Sequence, residues 1–352
     1  MSSLSLDLLY RRVARKVLTE TLGMKKGEAL TVETWNNGLD FARFVVAEAR
    51  AMGCTALTVF EDEGAYVEGV RRAPKDSLGL MGKNEYTLLA GTDAYVFVPG
   101  QALSSYSRTL TPAELEDSTR YNSSWYDAAA KAKLRGARFA FGYVGKDLAR
   151  MLGKSVEKIV KEQLEAALTD YGEVSRRGAN LASKLSDGSE TTIESGGSSL
   201  RFSLRGYLEI EDGLVDEKDL ADGNNMTYVP PGYVTKELEP ESVEGKLKLS
   251  ATLTRYGVLA GAELEFKNGV LIGWKGEDRG ILKKLLNPIP EGKRKLTVLG
   301  IGTNPAMRYG LGQDRFVSGA VFLGGLGLNV FARKATVSAA GNLLVSKGVL
   351  RS

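Results

Sequence analysis

An α/β N-terminal domain with a parallel sheet, followed by a β-rich α+β domain, is the fold class that the sequence predicts. Three observations point there. The first half alternates amphipathic stretches with short apolar, β-branched runs, which is the signature of βαβ units. From about residue 180 the texture changes to alternating runs separated by Gly and Asn turns. The chain has 352 residues, and at roughly 150 per domain that suggests two domains, here set at 1–180 and 181–352.

Taken in order, Leu4–Leu22 is amphipathic, with Leu8, Val13, Val17 and Leu18 among its apolar positions and Gly23 as its stop. A short strand follows at Ala29–Glu33, then a helix at Leu39–Met52 ended by Gly53. Ala56–Phe60 and Tyr95–Val98 read as strands, and Phe139–Val144 as a fourth. Thr111-Pro112-Ala113-Glu114 combines an N-cap, a first-turn proline and a glutamate three residues on, so a helix opens there. Another helix is expected from Ser155 (VEKIVKEQLEAAL), and the domain boundary near residues 172–190. Beyond it, Ser199–Leu204, Lys246–Leu253, Ala262–Phe266, Val270–Trp274 and Lys295–Ile301 read as strands. Lys267-Asn268-Gly269 marks a hairpin, and Glu277–Leu286 is the one good helix of this half.

Composition removes whole classes of chemistry. The chain contains no histidine, which excludes Ser-His-Asp and Cys-His catalysis, His-ligated zinc, facial-triad iron and histidine pH switching. Oxygen-only metal sites and acid–base work by Asp, Glu, Lys or Tyr survive. The lone Cys54 cannot form an intramolecular disulfide and fits a reducing compartment. No run approaches the roughly 18 apolar residues of a membrane span, and Met1–Lys16 lacks a signal-peptide core, so a cytoplasmic protein is expected. Net charge is +4, with only short basic clusters (Lys293-Arg294-Lys295 among them) that have acids nearby. Nucleic acid is therefore not an expected partner. The scarcity of His, Cys and Gln leans thermophilic.

Short motifs give little. Gly300-Ile301-Gly302 starts like a dinucleotide loop, but Pro305 stands where a third glycine belongs. Gly142-Tyr143-Val144-Gly145-Lys146 lacks phosphate-loop spacing. Ser155-Val156-Glu157-Lys158 has the Ser-x-x-Lys spacing of serine acyl-enzymes, but Ser155 sits where a cap is wanted. Gly324-Gly325-Leu326-Gly327 reads as a strand corner ahead of a ligand loop. Glu263 and Glu265 share a strand face that reads as solvated, and Glu237–Glu244 has no recognisable ligand spacing.

Several segments together resemble the thermophilic metalloaminopeptidase family. Trp35–Asp62 resembles its first βαβ unit, and Gly197–Leu204 and Asn225–Thr235 resemble its next motifs. Leu299–Asn304, Gly319–Gly325 and the closing Gly341–Gly348 hairpin follow in the same order. The resemblance covers nearly the whole chain and implies an aminopeptidase T-like fold. It also implies a dinuclear metal site in the C-terminal domain, held by two glutamates, two histidines, an aspartate and a tyrosine, which would polarise a scissile carbonyl and supply hydroxide.

Laid onto this sequence, those ligands are replaced. The first glutamate falls on Tyr233 and the second on Val298; the first histidine falls on Phe322; the closing His-x-Asp pair falls near Asn329 and Phe331. The family tyrosine has no counterpart. Two divalent ions need several anionic or imidazole donors to offset desolvation, and this set offers almost none. The expectation is a metal-less relative without a cofactor, with Asn304, Arg308 and Tyr309 beside the former site. It would bind a peptide or small-molecule ligand, or act as a structural or regulatory subunit, a homodimer or the partner of a paralogue. An aminopeptidase, or another hydrolase with a non-standard site, is the alternative.

Overall fold

The computed structural model describes residues 5–74, 77–100, 111–254, 256–276, 279–327 and 329–351. The chain forms two compact units. The first comprises Met1–Leu168 together with Gly213–Pro230, and the second comprises Thr169–Asp212 and Pro231–Ser352.

The first unit is built on a five-stranded parallel sheet. Its strands run in the order Thr55–Glu61, Ala29–Trp35, Ala94–Val98, Arg135–Phe139 and Met226–Val229. Side-chain alternation divides the sheet into two faces. Val32, Val96, Val98 and Phe139 are fully buried on one face, where Phe139 meets Phe41 of helix Leu39–Ala51 at 4.5 Å. On the other, Tyr95 packs with Leu89 of helix Lys83–Ala90 and Ala129 of helix Pro112–Lys131. The long helix opens on the capping box read from the sequence: Thr111 Oγ1 accepts from Glu114 N–H, and the Glu114 carboxylate accepts from Thr111 N–H at 2.6 Å. Ser155 likewise caps helix Val156–Ala167 by accepting from Lys158 N–H, the role expected from its position ahead of the helix and not the catalytic one that the Ser-x-x-Lys spacing resembles.

Some boundaries differ from expectation. The first helix runs Leu6–Lys16 and loosens into a π turn at Val17–Thr21. The strand expected at Phe139–Val144 lies earlier, at Arg135–Phe139, and Ala140–Tyr143 turns back as 3-10 helix. Two arginines hid it: the Arg138 guanidinium packs against the rings of Phe97, Tyr143 and Tyr228, so a charged residue occupies a covered sheet position. The division at 180/181 cuts helix Tyr171–Ala182, which lies wholly in the second unit. There Val174 and Leu181 are buried and Gly178 lets the helix approach Ile210 closely. Residues 213–230 return to the first unit and carry a short helix, Glu217–Asp222, that the sequence pattern did not reveal.

On the same sheet, Glu33 is half-buried and accepts a hydrogen bond from the Tyr95 hydroxyl. Burial pushes its carboxyl from 4.5 up to about 6, helped by the charges of Glu61 and Glu85 and opposed by the Tyr95 bond and by Arg138. Below pH 4.5 the group is neutral in both states. As the pH rises the unfolded chain ionises first, so stability should fall by about 2 kcal/mol between pH 4.5 and 6 and then level off. Urea titrations across that window should show this slope in the wild type and a flatter profile in Glu33→Gln.

The second unit is dominated by a twelve-stranded sheet. Its main path runs Val330–Ala332, Val321–Gly324, Val298–Gly302, Tyr233–Leu238, Ser198–Glu211, Glu190–Ser195 and Thr336–Ala339, closing on the C-terminal hairpin. Strands Glu244–Lys248, Glu263–Lys267 and Val270–Lys275 branch from the long strand Ser198–Glu211. The hairpin turn at Asn268-Gly269 takes positive φ at both residues, as the sequence required. Glu263 and Glu265 do share a face, where they pair with Lys275 at 2.9 Å and Lys246 at 3.5 Å. Leu181, Leu282 and Leu286 pack with Phe202, Leu247 and Phe266 in one continuous core.

Candidate functional site

Five antiparallel strands of the second unit carry the site. Their register fixes two faces. Val234, Ile301, Val321 and Ala332 form one cross-strand row, and all four belong to the hydrophobic core. The opposite face carries Glu209, Thr235, Gly300, Phe322 and Phe331 in one row, with Glu237, Val298 and Gly324 in the next. A pocket of about 380 Å³ opens on this second face.

Aromatic side chains give the pocket its apolar part. Tyr233 and Phe322 both line it, their rings edge to face at 6.1 Å. Phe316 packs on Tyr233 at 5.5 Å, and Phe331 on Phe322 at 5.8 Å. Phe322 lies across the neighbouring strand at Gly300, where a Cβ would run into its ring. That position is glycine because the ring occupies the space. Gly324 and Gly325 form part of the lining, so the glycine corner read from the sequence is also pocket wall. Gly325 has φ +135°, and a Cβ there would run into the backbone of Lys295, Leu296 and Thr297.

Polar groups complete the lining. A bulge between Leu204 and Leu208, with Gly206 at φ +93°, turns the Tyr207 N–H onto Glu237 Oε2 at 3.1 Å. Glu209 accepts from Thr235 Oγ1 at 3.2 Å. The Arg315 guanidinium lies over the rings of Phe316 and Tyr233, at 4.8 and 5.5 Å from their centres. Two carboxylates and one guanidinium thus border an aromatic surface, an arrangement that can hold a ligand with both charged and apolar parts.

The donor set does not fit the dinuclear metal site that the family resemblance implies. No group of three or more His, Cys, Asp or Glu side chains that could hold a metal ion occurs among the described residues. Glu209 and Glu237 are the carboxylates of the pocket lining, and each already accepts a hydrogen bond. Two such carboxylates are too few donors to offset the dehydration of a pair of divalent ions.

Of the residues singled out from the sequence, Tyr233, Val298, Phe322 and Asn329 line the pocket, and Phe331 stands beside it on Phe322. Asn304, expected as a ligand contact, is fully buried and does not line the pocket. Its Nδ2 donates to Pro231 O at 2.8 Å, and its Oδ1 accepts from Ala306 and Met307 N–H. It shapes the loop. Arg308 is exposed on that loop and is not among the lining residues. Tyr309 packs under the Arg333 guanidinium at 4.6 Å, also outside the lining, and burial raises its pKa.

Tyr207, Glu209, Thr235, Glu237 and Arg315 were not anticipated. Glu237, Thr235 and Tyr233 follow a two-residue period, so they were recoverable as one strand face once the strand was recognised. Arg315 comes from a 3-10 turn at Asp314–Phe316 that leaves no periodic signal.

The fold is similar to that of wild-type AmpT from Thermus thermophilus. The TM-score is 0.68 at 16% identity, over 99% of this chain and 100% of that one. It is also similar to 2,5-dihydroxypyridine dioxygenase from Pseudomonas putida KT2440, with a TM-score of 0.60 at 13% identity over 99% of each chain. No protein-family model matches the chain, and no curated protein matches its sequence. At these identities the likeness establishes an aminopeptidase-like fold and nothing about activity.

Proposed function

We propose that this chain is a non-catalytic binding protein on an aminopeptidase-like fold, which takes a peptide or small ligand into the pocket of its second unit without cutting it. One observation carries the reading. The positions that the family resemblance sets against metal-binding groups are Tyr233, Val298, Phe322, Asn329 and Phe331, and four of these five line a single pocket. Their side chains are neutral, three of them aromatic, and they favour retention of an apolar group over coordination of an ion. AmpT and the dioxygenase, both similar in fold, bear the names of different proteins, so this scaffold by itself does not dictate a reaction.

The test joins binding to turnover on one sample. Purified protein is titrated calorimetrically with short peptides and leucine amide, assayed for leucine-amide hydrolysis with and without added cobalt or zinc, and analysed for metals. The expected result is saturable binding without hydrolysis, weakened about tenfold or more in Tyr233→Ala, since truncating a buried aromatic anchor costs at least about 1.4 kcal/mol. Stoichiometric metal accompanied by turnover would establish the alternative, a working aminopeptidase. Equal affinities in wild type and Tyr233→Ala would remove the pocket from the account.

A further inference from the structure

We infer that the carboxyl end of the parallel sheet in the first unit holds a second ligand site, which takes a small zwitterion: an ammonium group at one end, a carboxylate or phosphate at the other, and a short apolar chain between them. Val59, Glu33, Phe97, Arg138 and Tyr228 stand in one cross-strand row, and all five are only half-buried. The next row toward the amino ends of the strands is closed, with Thr31 and Tyr95 buried. Parallel sheets normally bury both faces, so this face opens toward the strand ends. The opening also lies where such sheets hold ligands. Strand Ala29–Trp35 has its successor Thr55–Glu61 on one side and Ala94–Val98 on the other. The strand order reverses there, and the crevice outside the carboxyl ends at such a point is the usual binding position.

Three neighbours in the row read acid, ring, base. The Arg138 guanidinium stands between Phe97 and Tyr228, 5.4 and 5.7 Å from their ring centres, with Tyr143 as a third wall at 5.4 Å. The rings hold it in place, yet its Nε is buried with no acceptor among the described residues. A planar fork held in this way matches a carboxylate or a phosphate. Trp35, on the same face of the sheet, has an indole N–H that is also buried without an acceptor among those residues. On the other side of Phe97, Glu33 is steadied by the Tyr95 hydroxyl at Oε2. Glu61 and Glu85 crowd it with like charge, and a bound ammonium would relieve that repulsion. Glu33 and Arg138 lie two strand spacings apart, about 10 Å at the backbone. With a contact of about 3 Å at each end, the two charges of the ligand would be about 4–5 Å apart, the span of a short alkyl chain lying on Phe97. This site is separate from the pocket and does not depend on the function proposed for it.

The test is calorimetric titration of the full chain with γ-aminobutyrate and with phosphoethanolamine, which separate a carboxylate source from a phosphate source. Butyrate, ethyl phosphate and propylamine serve as probes charged at one end only. Saturable binding of at least one zwitterion is expected, at least about tenfold tighter than any single-ended probe. Arg138→Met should weaken it by about tenfold or more with unchanged circular dichroism. Should that variant misfold, Glu33→Gln, which removes the charge at the other end, must show a loss of similar size. Absence of binding by both zwitterions overturns the inference, and so does equal affinity for the single-ended probes or in the folded variants. Binding lost in Tyr233→Ala and kept in Arg138→Met would place the zwitterion in the pocket of the second unit and overturn it as well.

Discussion

Asn304→Ala should cost about 3 kcal/mol of stability and lower the melting temperature of the second unit by several degrees. The side chain is fully buried, and its amide joins three backbone groups: the carbonyl of Pro231 and the N–H groups of Ala306 and Met307. Alanine leaves all three without that partner in a dry environment, and each unmet buried group costs on the order of 1 kcal/mol or more. Denaturant titration followed by tryptophan fluorescence checks this. A loss under 1 kcal/mol would mean that water satisfies those groups and that the loop is held by something else.

Gly302→Ala should be at least as damaging, by about 3 kcal/mol or more. A Cβ at this position would overlap the carbonyl oxygen of Val317 and come within 2.6 Å of that of Arg315. Both are backbone atoms, so no side-chain rotation relieves the overlap. The segment that must retreat is the 3-10 turn Asp314–Phe316, which holds Arg315 in the pocket lining and Phe316 against Tyr233. Ligand affinity should therefore fall together with stability. The contrast is Gly261→Ala, where no atom lies within 4 Å of a new Cβ and only the positive φ of 65° is penalised. Thermal melts and calorimetric titrations of the two variants side by side decide it, and equal melting temperatures would contradict the packing argument.

Much of the architecture was legible because periodicity and capping are local. Ser155, Thr111 and Asn268-Gly269 behave as their chemistry requires, and the amphipathic helices and most strands lie within a few residues of where the pattern put them. Strand Arg135–Phe139 was misplaced because its burial is achieved by stacking a guanidinium between rings, which no hydropathy pattern records. Strand Met226–Val229 was not assigned to the first sheet, since four residues carry no information about which sheet they join. The site was half legible. Family resemblance led to Tyr233, Val298, Phe322 and Asn329, whereas Glu209 and Glu237 enter through cross-strand register and a bulge at Gly206, which are properties of pairing and not of either strand alone. Asn304 was noticed for the wrong reason: a buried amide that ties a loop and one that greets a ligand look alike in a sequence.

The route of the chain has a bearing on synthesis. The polypeptide leaves the first unit after Leu168, contributes Thr169–Asp212 to the second, and returns with Gly213–Pro230 to add the last parallel strand. Domains commonly fold in turn as they emerge from the ribosome. In this chain the first unit must wait, with the far side of Arg135–Phe139 uncovered, until Met226–Val229 has been made. Cutting the gene at the obvious midpoint would strand that edge permanently.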